Sequence, residues 1–166
     1  MLAYRDGNAG AFDTLYTRHR GRLYRFVLRS VKMRGTAEEL FQEVWIRVIE
    51  ARSRYTPQAK FTTWLYTIAH NLLVDHWRRK GLTLVELNDE HASADNPARQ
   101  VEARETAARF LQALEALPPV QREAFLLHEE GGLSVAEIAA ATGTSEEAAK
   151  SRLRYAVAKL KAVIDE

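Results

Sequence analysis

The stretch LSVAEIAAATGTSEEAAKSRLRYAVAKL, residues 133–160, decides the fold. Its spacing predicts a short helix with Ile138 and Ala139 inward, a turn at Gly143 and a longer helix capped by Ser145. Apolar or small residues recur along the longer helix at three- and four-residue intervals, which predicts a buried stripe. The stripe consists of Ala149, Leu153, Ala156, Val157, Leu160 and Ile164. This layout is typical of a helix-turn-helix.

The other face of the longer helix combines acidic, hydroxyl and basic side chains. Basic residues can contact phosphates and donate to guanine edges, and a glutamate can accept from a cytosine amino group. The segment is therefore predicted to bind DNA through Ser145, Glu146, Glu147, Lys150, Ser151, Arg152 and Arg154. Because these charges nearly cancel, an ordinary helical hairpin with a mixed-charge surface remains an alternative at this point.

Towards the N-terminus the apolar spacing is also helical. We expect a helix through residues 12–31 and a second helix that starts at Thr36, which has capping-box spacing to Glu39. A third helix is predicted over residues 61–80. The second helix is expected to bury Leu40, Phe41, Val44, Val48 and Ile49.

Residues 81–96, GLTLVELNDEHASADN, interrupt the helical pattern and are rich in Asn, Asp, Ser and Ala. A helix is predicted to start at Asn96 and to run to the Pro118–Pro119 pair, where a further helix begins. Ser134 and Glu137 form another capping-box pair. The predicted fold is all-α: two small helical domains, residues 1–80 and 105–166, joined by a flexible acidic linker, residues 81–104.

The composition excludes several classes of function. Cysteine is absent, so disulfides, thiolate metal sites and a cysteine nucleophile are excluded. His70 and His76 are six residues apart, and no recognisable metal-ligand or nucleophile spacing occurs, so we expect neither an enzyme nor a cofactor. There is no signal peptide and no apolar stretch near the ~20 residues that cross a bilayer. A cytoplasmic protein without membrane insertion is expected.

Four segments together resemble sigma factors of RNA polymerase. LEALPPVQREAFLLHEEGG with the helix-turn-helix stretch resembles region 4, and AFDTLYTRHRGRLYRFV, AEELFQEVWIRVIEA and FTTWLYTIAHNLLVDHWRRK resemble region 2 in the family's order. No segment resembles the middle domain of larger sigma factors, and in this respect the chain resembles the extracytoplasmic-function (ECF) group. One departure is Glu147-Ala148-Ala149, where many members have Gly-Thr-Val, and it leaves the preferred DNA sequence open.

The resemblance implies an alternative sigma factor that directs transcription initiation at promoters with −35 and −10 elements. Its partners would be core RNA polymerase, through the β′ coiled coil and the β flap, promoter DNA and an anti-sigma factor. The polymerase-binding set would be Glu38, Glu39, Leu40, Gln42 and Glu43. The −10 set would be Arg54, Tyr55, Lys60, Asn71, His76, Arg78, Arg79 and Lys80, and the helix-turn-helix set named above would recognise the −35 element.

The sequence leaves two questions open: where the two tryptophans of the third helix lie, and whether the protein has a different function. Trp64 is expected in the core, whereas Trp77 is equally consistent with packing and with contact to DNA. The rival is a stand-alone helix-turn-helix regulator that does not bind polymerase. Residues 11–80 discriminate, because such a regulator would not need ELFQEV followed by FTTWLYTIAHNLL.

Overall fold

All regular structure in the described residues of this computed structural model is helical, which confirms the all-α prediction. The structure describes residues 1–81 and 102–165, so most of the predicted linker 81–104 and the predicted helix start at Asn96 lie outside it. None of the described helices is long and apolar enough to cross a membrane. The helices are α1 (Leu2–Arg5), α2 (Gly10–Val31), α3 (Arg34–Glu50), a 3₁₀ turn (Arg52–Arg54), α4 (Phe61–Arg79), α5 (Glu102–Ala116), α6 (Pro119–Glu129), α7 (Val135–Thr142) and α8 (Glu146–Ile164).

The N-terminal half packs α2, α3 and α4 around one apolar core. Each helix contributes a face at helical spacing, and each fully buried large side chain stabilises the fold by roughly 1.5–3 kcal/mol. Trp64 is partly buried against this core, as expected, and Trp77 is 3% exposed, so it packs inside the protein. The buried residues include Leu23, Phe26, Val27, Leu40, Val44, Trp45, Val48, Leu65, Tyr66, Leu72 and Leu73.

The C-terminal half contains the predicted helix-turn-helix, formed by α7 and α8. The Oγ of Ser134 accepts a hydrogen bond from the Glu137 amide at 3.2 Å, and the Oγ of Ser145 accepts one from the Ala148 amide at 3.1 Å. Gly143 ends α7 with a φ of 64°, a left-handed conformation that glycine adopts at little cost. Ala139 and Ala149 are buried and let the two helices approach closely.

Three local predictions were wrong. Helix α3 starts at Arg34 and not at Thr36, because Lys32 ends α2 in a left-handed conformation and the extended Met33 leads directly into the next helix. Ile49 is 47% exposed and Ile164 is 52% exposed, although both were expected to be buried. Both lie near a helix end, where few neighbouring elements remain to cover the side chain.

The buried apolar side chains of the two halves form one continuous core, and polar contacts that we call the inter-half interface also join the halves. Glu130, whose side chain is 10% exposed, accepts hydrogen bonds from Arg25 Nε at 3.0 Å and from Arg29 Nη1 at 3.1 Å. His70 Nδ1 lies 2.6 Å from Glu123 Oε1. Further bonds in this interface join Lys60 to Glu137, Thr63 to Glu137, Tyr66 to the Glu130 carbonyl, Arg122 to the Ser30 carbonyl and Lys32 to the Glu115 carbonyl.

Gly131 is expected to be the glycine most sensitive to substitution. A Cβ at this position would lie 2.5 Å from the Leu127 carbonyl oxygen and 2.8 Å from Leu133 Cδ1. Gly131→Ala should therefore lower the free energy of unfolding by about 1–3 kcal/mol, measured by urea denaturation. Gly35→Ala is the control, because a Cβ there meets nothing within 4 Å and alanine favours a helix by about 0.5–1 kcal/mol. Equal stability of the two variants would contradict this packing.

Candidate functional site

The predicted −35 residues lie together at the start of α8. Glu146, Glu147, Lys150 and Arg154 are exposed, and Ser151 and Arg152 are half-buried. Lys150 and Arg154 are one turn apart and share a face of the helix. The two glutamates lie in the first turn, where a negative charge is favoured by the helix dipole. The surface therefore offers cations for phosphates and carboxylates for base amino groups, as a recognition helix requires.

The predicted −10 residues are distributed along the whole of α4 and its preceding loop. Arg54 and Lys60 are exposed before the helix, Asn71 is exposed near its middle, and Arg78 to Lys80 are exposed at its end. The helix from Phe61 to Arg79 is about 27 Å long. Lys60, Asn71 and Arg78 lie on one face, because intervals of eleven and seven residues are close to whole turns. This arrangement can follow an extended strand of several nucleotides.

Two members of the −10 set are less available than the others. Burial, together with the charges of Lys80 and Arg79, lowers the pKa of His76, so its imidazole is neutral near neutral pH and does not add a cation. Tyr55 is 6% exposed and its ring makes an edge contact with Trp64, with 4.8 Å between centroids. Stacking of Tyr55 on a base would therefore require the ring to leave the core.

The predicted polymerase-binding residues form an acidic face on α3. Glu39 and Gln42 are exposed and Glu43 is half-buried, and their spacing of three and four residues places them on one face. Glu38 pairs with Arg34 at 3.3 Å and Glu43 pairs with Arg47 at 3.1 Å. Leu40, which was predicted both to be buried and to belong to this set, is only 8% exposed and packs in the core beneath this face.

A groove of about 570 Å³ separates the acidic face of α3 from the basic end of α4. Glu39 and Glu43 line one side, and Arg78 and Arg79 line the other. Two residue sets that are about 35 positions apart in the sequence, and that were predicted for different partners, are therefore neighbours in the structure. A protein bound at the acidic face would lie beside the strand bound along α4.

Comparisons with known proteins agree with this geometry. Residues 15–83 match the family described as Sigma-70 region 2, and residues 107–160 match Sigma-70, region 4. The chain is 34% identical to RNA polymerase sigma factor CarQ of Myxococcus xanthus over 172 residues, which cover 100% of this chain and 96% of CarQ. The chain belongs to the sigma-70 family. It falls in the ECF group, and this sigma factor is a transcription initiation factor and not an enzyme.

Two further relatives support the assignment of this sigma factor. The ECF RNA polymerase sigma factor SigM of Mycobacterium tuberculosis is 30% identical, over 96% of this chain and 80% of SigM. The solved structure of CnrH in complex with the cytosolic domain of CnrY superposes with a TM-score of 0.71 at 27% identity. That comparison covers 99% of this chain and 95% of CnrH, so the likeness extends over both halves.

Sequence reasoning missed the residues of the inter-half interface. Glu123 and Glu130 are 4% and 8% exposed, yet each looked like a solvated helix residue in the sequence. One signal was present, because Glu123 is three and four residues from Leu126 and Leu127 and therefore lies on the apolar face of α6. Charged residues are almost never buried without a partner, so this position already implied one.

Proposed function

We propose that this sigma factor binds core RNA polymerase through the acidic face of α3 and recognises promoters with two separate DNA surfaces. Residues 1–80 form the unit for polymerase and the −10 element, residues 105–166 form the unit for the −35 element, and residues 81–104 connect them. The β′ coiled coil is the proposed partner of α3, and the β flap is the proposed partner of the second unit. The observation that carries the proposal is the acidic face of α3, with Glu39 and Gln42 exposed and Glu43 half-buried, beside the basic end of α4.

The packed arrangement of the two halves is too small to reach both promoter elements. The centres of −35 and −10 elements are about 25 base pairs apart, which is about 85 Å along B-DNA. A compact chain of this length is about 40 Å across. About 20 residues connect α4 to α5 and can extend to about 70 Å. The two halves must therefore separate when this sigma factor engages a promoter.

The inter-half interface also involves a residue that is proposed to contact promoter DNA. Lys60 of the −10 set pairs with Glu137 of α7 at 3.2 Å, and Thr63 at the start of α4 contacts the same carboxylate. Burial would raise the pKa of Glu137, but the hydrogen bonds and charge from Lys60 hold this pKa below its usual range. Glu137 therefore stays ionised at neutral pH and competes with DNA phosphates for Lys60.

An anti-sigma protein and a cytoplasmic location complete the proposal. CnrH, which this chain resembles over its whole length, is bound to the cytosolic domain of CnrY in its solved structure. An inhibitor of this sigma factor would act by covering the polymerase-binding face or by holding the two halves together. Promoter DNA and RNA polymerase lie in the bacterial cytoplasm, so the protein would act there.

Co-elution with core RNA polymerase tests the function most simply. The full chain should co-elute with core enzyme in size-exclusion chromatography. No more than one equivalent of the chain should bind to each core enzyme. A chain that stays separate from core enzymes of several bacteria but binds duplex DNA by itself would instead be a stand-alone regulator.

Lys150→Ala with Arg154→Ala is expected to weaken recognition of the upstream element without affecting polymerase binding. The slope of log affinity against log salt is negative, and each lost phosphate contact makes it shallower by about 0.9. The slope of the double variant should therefore be shallower than that of the parent by between about one and two. Fluorescence anisotropy of labelled promoter DNA with the holoenzyme at several salt concentrations measures this slope. Lys159→Ala with Lys161→Ala, at the exposed end of α8, is the control and should leave the slope unchanged. Loss of holoenzyme assembly in the double variant would contradict the division between the two units.

A further inference from the structure

Two arginine side chains join the N-terminal helix α1 to the loop of residues 52–60, which precedes α4 and which we call the −10 loop. Arg52, at the start of the 3₁₀ turn, donates from Nε to the Tyr4 carbonyl at 2.7 Å. Arg5, at the end of α1, donates from Nη1 to the Tyr55 carbonyl at 3.2 Å. The first and last residues of the segment Arg52–Tyr55 therefore each share a hydrogen bond with the same four-residue helix. We call these four residues, Tyr4, Arg5, Arg52 and Tyr55, the N-terminal clamp.

Tyr4 anchors the clamp to the core. Its side chain is 7% exposed, and its ring centroid lies 5.3 Å from that of Phe12, which in turn packs edge-on against Trp45 at 5.8 Å. The Arg52 guanidinium lies over the Tyr4 ring, 4.5 Å from its centroid. A cation over a partly desolvated aromatic face is attracted by the ring quadrupole, so Arg52 is held by both a hydrogen bond and the ring.

The clamp fixes the backbone of the loop and leaves its outer side free. Tyr55 is held by Arg5 through its carbonyl and by Trp64 through its ring. Arg54, between these fixed points, is exposed. The chain then continues through exposed residues 56–60 to Lys60 at the start of α4. The position of Arg54 therefore depends on where residues 52 and 55 are held, and α1 contributes a bond to each of them.

Helix α1 lies outside the residues that match the family described as Sigma-70 region 2. The match to Sigma-70 region 2 begins at residue 15, whereas Tyr4 and Arg5 precede it. The residues that hold the −10 loop in this sigma factor thus include two that the family match does not contain. Loop shape decides selectivity wherever a strand must be held within a fraction of an ångström of a pocket.

We propose that α1 is a positioning element for −10 recognition. Tyr4, Arg5 and Arg52 touch no DNA in this proposal; they hold Arg52–Tyr55 in the shape in which Arg54 and the residues after it select bases of the −10 strand. The inference rests on the proposed function of the loop and adds to it the element that sets its conformation. Loss of the clamp leaves α3, and with it polymerase binding, intact.

Tyr4→Leu tests the proposal, with Tyr4→Phe as the matched control. Leucine fills much of the same space but removes the ring face beneath Arg52, whereas phenylalanine keeps that face and changes only the hydroxyl. Arg5→Ala is a second variant, because it removes the bond to the Tyr55 carbonyl, together with a surface pair to Asp6, and leaves the core untouched. Core-polymerase binding is measured for all three, and each is expected to match the parent chain.

Two measurements are then made on each variant. Hydrogen exchange of the full chain should show amides of residues 52–56 exchanging at least about ten-fold faster in Tyr4→Leu, with the middle of α4 unchanged. In vitro transcription from promoters with a randomised −10 element, followed by sequencing of the transcripts, should show the preference for the favoured −10 bases falling by several fold. Tyr4→Phe should retain both properties, and Arg5→Ala should show smaller changes in the same direction.

The outcomes separate this proposal from the function on which it rests. Faster exchange with an unchanged −10 preference would overturn the positioning role and leave α1 as a purely structural element. Unchanged exchange in Tyr4→Leu would overturn the clamp itself. A parent holoenzyme that binds core enzyme but shows no −10 preference at all would overturn the proposed function of the loop, and the positioning role with it.

Discussion

A chain that carries Glu39→Arg and Glu43→Arg is expected to bind core RNA polymerase at least about a hundred-fold more weakly than the parent chain. The two carboxylates lie on one face of α3 and would each accept from a basic group of the polymerase. Removing one partner of a desolvated charge pair costs about 2–5 kcal/mol, and reversal adds repulsion, so a loss of this size is a lower limit. Fluorescence anisotropy of the labelled chain against core enzyme measures the affinity.

The reversal should have little effect on the fold. Glu43 loses its exposed pair with Arg47, and such i,i+4 pairs contribute only about 0.2–0.5 kcal/mol. Glu50→Arg with Glu129→Arg is the matched control, since both residues are exposed and the change in net charge is the same. The control should bind core enzyme like the parent chain. Unchanged affinity in the Glu39 and Glu43 variant, or an equal loss in the control, would mean that α3 is not the docking surface.

Reversal of the two central acids of the inter-half interface is expected to separate the halves in the free protein. In Glu130→Arg with Glu137→Arg, the Arg25, Arg29 and Lys60 side chains would each face a like charge in place of a carboxylate. Glu130 is largely buried, so an arginine at this position would be poorly screened from Arg25 and Arg29, and separation of the halves relieves the repulsion. The contacts between the two halves should therefore be lost, including the apolar contacts that cross between them, while the helices within each half stay packed.

The separation can be measured because the chain has no cysteine of its own. Spin labels on Glu50→Cys and Ala158→Cys, both exposed, report the distance between the halves. The parent should give one narrow distance distribution, and the reversed variant a broad one that reaches beyond about 40 Å, the width of the compact chain. Glu129→Arg with Asp165→Arg, two exposed acids, should keep the narrow distribution.

The same labels test the need for separation at the promoter. Binding of the parent chain to core enzyme and promoter DNA should broaden or lengthen the distribution without any substitution. A narrow distribution that survives both the charge reversal and holoenzyme formation would show that apolar contacts hold the halves together, and would contradict the proposed opening.

The sequence predicted the helices well because their determinants are local. Apolar spacing of three and four residues gives the buried face of each helix, and Ser134, Ser145 and Gly143 mark boundaries through their own side chains or backbone. The start of α3 was missed for the same reason. Its first residue follows from the two-residue connection after α2, which the capping pattern at Thr36 does not encode.

The sites were predictable only as far as they lie on single helices. The acidic face of α3 and the charged start of α8 follow from helical spacing alone. The groove between α3 and α4, the inter-half interface and the N-terminal clamp depend on which helices pack together. Tyr55 illustrates the limit: an aromatic residue in a polar loop suggested a stacking surface, but Trp64 from the next helix encloses its ring.

Transcription by reconstituted holoenzyme tests the central claim most directly. Core RNA polymerase is incubated with the full chain and a library of promoter fragments randomised in sequence, and the transcripts are sequenced. We expect core enzyme alone to give no sequence-dependent starts, whereas core enzyme with this sigma factor should give starts downstream of two elements about 25 base pairs apart. Starts that do not change when the chain is added, with direct binding of the chain to duplex DNA, would contradict it.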